Sequence, residues 1–285
     1  MKRLYVQIIS FLVTNANFAG FINGTIFTGK TKYICVPGLN CYSCPGALGS
    51  CPIGALQAVL GSAKQKISYY VLGLMILFAT TMGRWICGFL CPFGLLQDLL
   101  YKIKCKKIKV SKKLWFLKYT KYMVLIVLVV LLPMLIVNEY GNGAPFFCAY
   151  LCPSGTFFGA IPLLLTNASL QPLIGLQFYY KLTLLVLILA FSVIIYRFFC
   201  KFLCPLGAFY GLFNKISLVR FELNKDKCTS CNACKKACKM DIDPKITPNN
   251  AECIRCMDCI KSCNFDALNR CNLISGEVKS TISAK

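Results

Sequence analysis

Long apolar stretches alternate along this chain with cysteine-bearing loops and lysine-rich flanks. The first apolar run extends from Leu4 through Phe27, interrupted by Asn15, Asn17 and Asn23. Others follow at about Ile67–Trp85, Tyr122–Val137 and Phe178–Tyr196. Each approaches the length that a helix needs to cross a bilayer. The pattern therefore predicts four spans, the first a retained span rather than a cleaved signal peptide. Trp115 and Tyr119 would anchor the third span at an interface, and Lys181 and Arg197 would snorkel from the fourth. Leu95–Ile103 reads as a short interfacial helix. Gly155–Gln177, broken by Pro162, Asn167 and Pro172, reads as interfacial or re-entrant. Beyond Lys215 the chain turns polar. The expected division is a membrane domain at 1–220, a ferredoxin-like domain at 221–267 and a polar, loose tail at 268–285.

One segment occurs twice. RWICGFLCPFGLLQDLLYKI (84–103) and RFFCKFLCPLGAFYGLFNKI (197–216) align without a gap. Arg84 matches Arg197, Cys87 matches Cys200, Cys91 matches Cys204, and the Pro and Gly that follow match as well. Cys148-x3-Cys152-Pro-x-Gly155 is a third copy. Cys51-Pro-x-Gly54 is a degenerate fourth, with Ala47 at the place of the first cysteine. Duplication of a span with its cysteine loop accounts for the pattern.

The polar end carries a different repeat. Cys228, Cys231, Cys234, Cys238 and then Cys253, Cys256, Cys259, Cys263 each follow C-x2-C-x2-C-x3-C, the bacterial ferredoxin run for cubane clusters. In that run the fourth cysteine ligates the other cluster. The expected sets are thus Cys228, Cys231, Cys234 with Cys263, and Cys253, Cys256, Cys259 with Cys238. Zinc is the rival for C-x2-C pairs, but it needs only four ligands and rarely a third cysteine two residues beyond a pair. Lys239 and Asn264 stand where a proline often follows the run.

Composition sharpens this. The chain has 285 residues, is 57% hydrophobic and still carries a formal charge of +22, with a mean hydropathy of +0.62. Apolar spans with basic flanks reconcile those values. Nucleic acid is not the expected partner, because the positive residues gather beside the spans. Each cubane with four thiolates carries about −2, which offsets part of the charge. There is no histidine. That excludes histidine-ligated haem, a Rieske centre, a C-x-x-C-H haem and any histidine-containing catalytic dyad. Nothing points to bond-making chemistry or a stand-alone enzyme.

Four crossings would place Cys87, Cys91, Cys200, Cys204 and the ferredoxin-like domain on one side with Lys2, Arg3, Arg84, the Lys102–Lys121 run, Arg197, Lys201, Lys215 and Arg220. The other side would hold only Lys30, Lys32, Lys64, Lys66 and Lys181. The positive-inside rule makes the first side cytoplasmic. Cys87, Cys91, Cys200 and Cys204 then form a third cluster site at the cytoplasmic membrane edge, with Arg84 and Arg197 offsetting its charge. Outside lie Cys35, Cys41, Cys44, Cys51, Cys148 and Cys152. Their best four ligands are Cys51, Cys148, Cys152 and one of Cys41 or Cys44, with disulfides as the rival. Cys271 has no spacing partner.

These motifs resemble the membrane ferredoxin-type (polyferredoxin) proteins that accompany periplasmic nitrate reductase, and the related membrane half of nitrous-oxide reductase maturation proteins. The resemblance rests on the C-x3-C-P loops at 87–92 and 200–205 and the twin ferredoxin runs. It implies an all-α transmembrane bundle of about four spans, internally repeated, with a small α+β double-cubane domain at the C-terminus. The implied function is an electron relay, and low-potential clusters near the surface suggest an anaerobic host. Electrons would pass from a cytoplasmic ferredoxin-like donor to an outward-facing acceptor, one that the resemblance pairs with a flavin-binding domain. The Cys35–Cys51 loop and the Cys148/Cys152 pair depart from the family pattern. The alternative is a quinol-linked donor, or a maturation or regulatory iron–sulfur protein for a partner metalloenzyme. Transport is a third reading, against which stands the lack of charge near the middle of any span.

Overall fold

A computed structural model describes residues 3–62, 69–110, 112–139, 142–272 and 278–279. Lys2, Lys64, Lys66, the first residues of the expected second span (Ile67 and Ser68) and most of the 268–285 tail lie outside the described residues, as does the side chain of Trp115. The fold is mostly helical, with one small sheet.

Among the described residues the four-span bundle does not form. Two helices among the described residues are long and apolar enough to cross a membrane, Phe116–Leu135 and Leu176–Ile194. The expected first span breaks into Arg3–Thr14 and Phe18–Asn23. The break lies at the asparagines: Asn15 Nδ2 donates to the Phe11 carbonyl (3.1 Å) and Asn17 Nδ2 to that of Pro45 (2.8 Å). In place of the second span stands Tyr69–Met82, fourteen residues ended by Gly83 at φ +55°. Over the described residues, at 1.5 Å per residue, these helices reach about 18 and about 21 Å, against a hydrocarbon core of about 30 Å. The multi-pass topology depended on an even count of four crossings and falls with it. So do the cytoplasmic placement of the ferredoxin-like domain, the inner and outer sides given to the cysteines, and a lipid bilayer with a redox partner on each face. The stretch read as interfacial or re-entrant holds the helix Gly155–Thr166 and a turn at Ala168–Leu173.

Three Cys-Pro dipeptides of the repeat start helices, Pro52–Leu60, Pro92–Leu100 and Pro205–Leu212, whereas Cys44-Pro45, outside the repeat, lies in a turn. Proline suits the first helical position because its missing N–H has no partner there anyway. The cysteine before it takes an extended backbone, so its thiol sits where a cap would. In the two long repeats the other cysteine lies on a five-residue helix just upstream, Trp85–Phe89 or Phe198–Phe202.

The sheet is antiparallel. Strand β1 (Val219–Leu223) pairs with β2 (Leu268–Asn272), Phe221 opposite Arg270, and β2 pairs with β3 (Val278–Lys279). Strands β1 and β2 bracket the ferredoxin runs and tie their ends together. The Asn249 side chain extends the ladder, exchanging two hydrogen bonds with the backbone of Phe221 (2.9 and 3.0 Å).

One core runs through most of the molecule. It joins Cys51, Cys87, Cys91, Cys152 and Cys204 with Met240, Ile242 and Ile254 of the ferredoxin-like region. At Gly88 a Cβ would lie 2.4 Å from the Ile254 carbonyl oxygen, so only glycine admits the ferredoxin-like region this closely. Arg255 reaches back to the carbonyls of Met82 (2.9 Å) and Asn214 (2.7 Å). Asn214 Nδ2 donates to those of Asn250 (2.9 Å) and Cys253 (2.8 Å).

Candidate metal centres

All twenty cysteines are free thiols, and sixteen of them gather in four groups of four. In the ferredoxin-like region Cys228, Cys231, Cys234 and Cys263 line one small cavity. Cys238, Cys253, Cys256 and Cys259 line another. The crossed arrangement follows from matching backbone kinks in the two runs. Ser230, Asn232 and Asp241 have positive φ, as do Arg255, Met257 and Asp266 at the corresponding places. Left-handed residues flanking the second cysteine of each run curl the loop into a concave cradle of backbone N–H groups suited to a negative charge.

The third group, Cys87, Cys91, Cys200 and Cys204, is fully buried, and each thiol lies within electrostatic reach of others in the set. The two arginines singled out from the repeat frame it with pseudo-twofold symmetry. Arg84 Nη2 donates to the Cys200 carbonyl (3.2 Å), and Arg197 Nη1 donates to the Cys87 carbonyl. Each guanidinium is 0% exposed and passes over the glycine of the opposite repeat. A Cβ at Gly94 would lie 3.1 Å from Arg197 Nη2, and one at Gly207 would lie 3.2 Å from Arg84 Nη2. Each is also balanced by a carboxylate. Arg84 pairs with Glu252 (2.9 Å), which also pairs with Lys121, and Arg197 makes a bidentate pair with Asp98 (2.9 and 2.7 Å). Burial alone would raise Asp98, but Arg197 and Arg3 outweigh it and hold its carboxyl well below the usual range.

The fourth group is Cys41, Cys51, Cys148 and Cys152. These line a cavity of about 930 Å³ together with Cys35, Lys32 and Lys181. Between the two candidates Cys41 and Cys44, the fold brings Cys41 to the others. The Cys44 thiol instead faces Asn15 Oδ1 at 3.6 Å. Two glycines border Cys41: a Cβ at Gly155 or Gly159 would lie 3.7 or 3.4 Å from its Sγ, an ordinary contact distance. Burial pushes the Cys51 and Cys148 thiols well above their ordinary range. Thiolates in such surroundings need a bound cation to be stable.

Four cysteinyl thiols per site, without histidine, fit an iron–sulfur cubane. Among the described residues no three His, Cys, Asp or Glu side chains converge tightly enough to hold a single metal ion. Thiols spread around a hollow match a cubane, whose irons stand apart, better than zinc. Cys41, Cys51, Cys148 and Cys152 lie within electrostatic reach of one another, whereas Cys35 lines the same cavity without such contact. Cys35, Cys44, Cys105 and Cys271 remain outside the four groups.

The groups follow one another through the core. Cys259 of the second packs with Cys234 of the first in a cluster around Phe221. Arg84 lies within reach of Cys253 as well as Cys87 and Cys200. Between the third and fourth groups stands Tyr210, fully buried, near Cys87, Cys91 and Cys204 on one side and Cys51 on the other. Its hydroxyl donates to the Pro37 carbonyl (3.0 Å). A Cβ at Gly38 would lie 3.0 Å from Cys91 Cα. The loop expected on the opposite membrane face from Cys91 is therefore packed on it. A relay between two faces is not what this arrangement builds.

Two glutamines escaped the sequence reading. Gln97 Nε2 donates to Cys200 Sγ (3.1 Å), and Gln57 Nε2 donates to Cys148 Sγ (3.3 Å). The signal was present, because Cys51 and Cys91 both begin C-P-x-G-x-L-Q.

The 4Fe-4S binding domain matches this chain twice, at residues 68–114 and 179–225, which contain the two long repeats. Protein MJ0750 of Methanocaldococcus jannaschii is 31% identical over 69% of this chain and 75% of its own length. MJ0749 of the same organism is 31% identical over 61% of this chain and 58% of its own. The methylamine utilization ferredoxin-type protein MauN of Paracoccus denitrificans is 30% identical over 68% of this chain and 62% of its own. The chain thus spans less than two thirds of the length of some of these relatives. No solved structure matches it. These names correct the attribution to the nitrate reductase and nitrous-oxide reductase systems: the likeness is to ferredoxin-type proteins more broadly. The two domain matches support iron–sulfur clusters as the cofactor, while placement of a cluster at a membrane edge has no support. The chain belongs to the family of the M. jannaschii protein MJ0750 and carries two copies of the 4Fe-4S binding domain.

Proposed function

We propose that this chain is an iron–sulfur electron-transfer accessory protein that supplies electrons to a partner metalloenzyme, either in turnover or during its maturation. The observation that carries the reading is the sorting of sixteen cysteines into four sets along two adjoining hydrophobic cores that share Cys253. Cys228, Cys231, Cys234 and Cys263 hold the first cluster and Cys238, Cys253, Cys256 and Cys259 the second. Cys87, Cys91, Cys200 and Cys204 hold the third, and Cys41, Cys51, Cys148 and Cys152 the fourth. Bound cubanes supply one-electron redox chemistry. The protein's own part is to fix their order and environment. Arg84 and Arg197 add positive charge at the third site, and Glu252 and Asp98 keep those cations from standing unpaired in the core. Tyr210, with the Pro37 carbonyl, fixes the loop of the fourth site against the third. The exposed Cys231 marks the ferredoxin-like end as the entry, where a donor can approach. The ferredoxin-type name of the MauN relative agrees with this reading.

The test is anaerobic iron and sulfide analysis of the purified chain, with EPR during stepwise reduction. About sixteen irons per chain, four per cubane, all reducible in one-electron steps, are expected. About eight irons, confined to residues 228–263, would remove the electron path.

A further inference from the structure

We infer that Gln57 and Gln97 are paired tuning residues, each setting the reduction potential of one buried cluster through an N–H···S hydrogen bond to a single ligand cysteine. The inference rests on the cluster assignment just proposed and adds to it a role for two uncharged side chains.

The geometry is the same in both places. Each glutamine lies six residues after the Cys-Pro cysteine of its own repeat and reaches across to the neighbouring repeat. Gln97 Oε1 accepts from the Phe199 backbone N–H (3.1 Å), and Nε2 donates to the Sγ of the next residue, Cys200 (3.1 Å). Gln57 Oε1 accepts from the Phe147 N–H (2.9 Å), and Nε2 donates to the Sγ of Cys148 (3.3 Å). The second amide proton points to the carbonyl four residues back, Phe93 for Gln97 (3.4 Å) and Ile53 for Gln57 (3.3 Å). Both side chains are 0% exposed. A backbone N–H can only donate, so the amide oxygen must face it and the NH2 must face the sulfur. The orientation is fixed by chemistry rather than by choice.

The corresponding positions after Cys152 and Cys204 are Phe158 and Tyr210, neither of which can donate an amide hydrogen bond. Each buried site therefore receives one side-chain amide bond of this kind, always on the first cysteine of the C-x3-C pair, beside the backbone N–H that Gly207 gives Cys204 at the third site (3.4 Å). A donor aimed at a ligand sulfur stabilises the more negative, reduced state more than the oxidised one, and so raises the potential. Two copies of one clamp, at sites that otherwise differ in charge, argue for a role beyond filling space.

The experiment is an anaerobic EPR redox titration of the full chain carrying Gln97→Leu, Gln57→Leu, Gln97→Glu or Gln57→Glu, with iron counted in each. Iron is expected to stay at the wild-type value. One cluster's midpoint should move negative by about tenfold in its reduced-to-oxidised ratio, 59 mV for one electron. The cluster that moves should differ between the position 57 and position 97 variants. Glu keeps the acceptor for the Phe N–H but turns a negative oxygen on the sulfur, so its shift should be at least as large. Unmoved midpoints at full iron would overturn the inference. If the Leu variants lose iron, the Glu variants decide. A wild-type midpoint there, or loss of the cluster in them too, would make the glutamines structural clamps. A wild-type chain with about eight irons would instead contradict the cluster assignment itself.

Discussion

The third and fourth sites come from the same repeat but keep different company. Both place a cysteine before a proline-started helix and both carry a glutamine clamp, but the third site draws its four cysteines from two C-x3-C-P loops and the fourth draws two of its four from one. They differ in charge. Where the third site has Arg84 and Arg197, the aligned positions of the fourth are Cys44 and Pro145. Its nearby cations are Lys32 and Lys181, and among the described residues no carboxylate lines its cavity. Lys32 donates to the Ala47 carbonyl (2.7 Å) and Lys181 to that of Cys148 (3.1 Å). The first cysteine is lost to Ala47, and Cys41 arrives from a loop instead. Duplication preserved the cysteine frame while the counter-charges diverged. In the proposed assignment, one shared frame presents two cubanes in different electrostatic settings.

The largest effect separating the sites should come from the carboxylates. Asp98→Asn or Glu252→Gln leaves a buried guanidinium without its partner, which costs about 3–5 kcal/mol. Anaerobic thermal unfolding of the loaded protein should show this loss. Lys181→Met, at the fourth site, should cost far less because it breaks no ion pair.

Glycine substitutions sharpen the same contrast at a smaller scale. Gly94→Ala and Gly207→Ala press a methyl group on a buried guanidinium and should destabilise by about 1–3 kcal/mol. Gly54→Ala meets Cys148 Sγ at 3.7 Å and Cys51 Cβ at 4.0 Å, both ordinary contacts, and should be neutral or slightly stabilising, because alanine favours the helix. Equal costs at all three positions, measured by chemical denaturation, would erase the distinction.

Acid should act through the third site. Asp98 and Glu252 are both held below their ordinary values, burial being outweighed by the neighbouring cations. Their stabilisation is complete above the unfolded carboxylate values of about 4 and fades as pH falls through the lower folded values. Asp98→Asn should flatten that part of the stability profile. The smallest effect is expected for Cys105→Ser, because Cys105 is exposed and outside every group. Iron content should not change, and stability should shift by no more than about 0.5 kcal/mol.

Much of the site was legible in the chain because metal ligation imposes spacing. The ferredoxin runs and the C-x3-C-P repeat survive as local patterns, and the fold brings those cysteines together. Span count was misread because apolar composition does not register the polar side chains and turns that end a helix. Asn15 and Asn17 turn back on the backbone, and Gly83 adopts a left-handed turn. Pairing across the fold was also hidden. Nothing in sequence assigns Glu252 to Arg84 or Asp98 to Arg197, because those contacts link segments far apart in the chain. The choice of Cys41 over Cys44 needed the Asn15 contact. The glutamines were visible in two copies of C-P-x-G-x-L-Q, but a single amide carries no charge or ligand signal to draw notice.

The central claim is that two separate clusters sit side by side in one core, built from Cys87, Cys91, Cys200 and Cys204 and from Cys41, Cys51, Cys148 and Cys152. The most direct test is anaerobic iron analysis of Cys91→Ser, Cys51→Ser and the double variant, each compared with the unaltered chain. The account predicts a loss of about four irons in each single variant and about eight in the double, four per cubane. Full iron in Cys51→Ser, or a double variant that loses no more than Cys91→Ser alone, would contradict it.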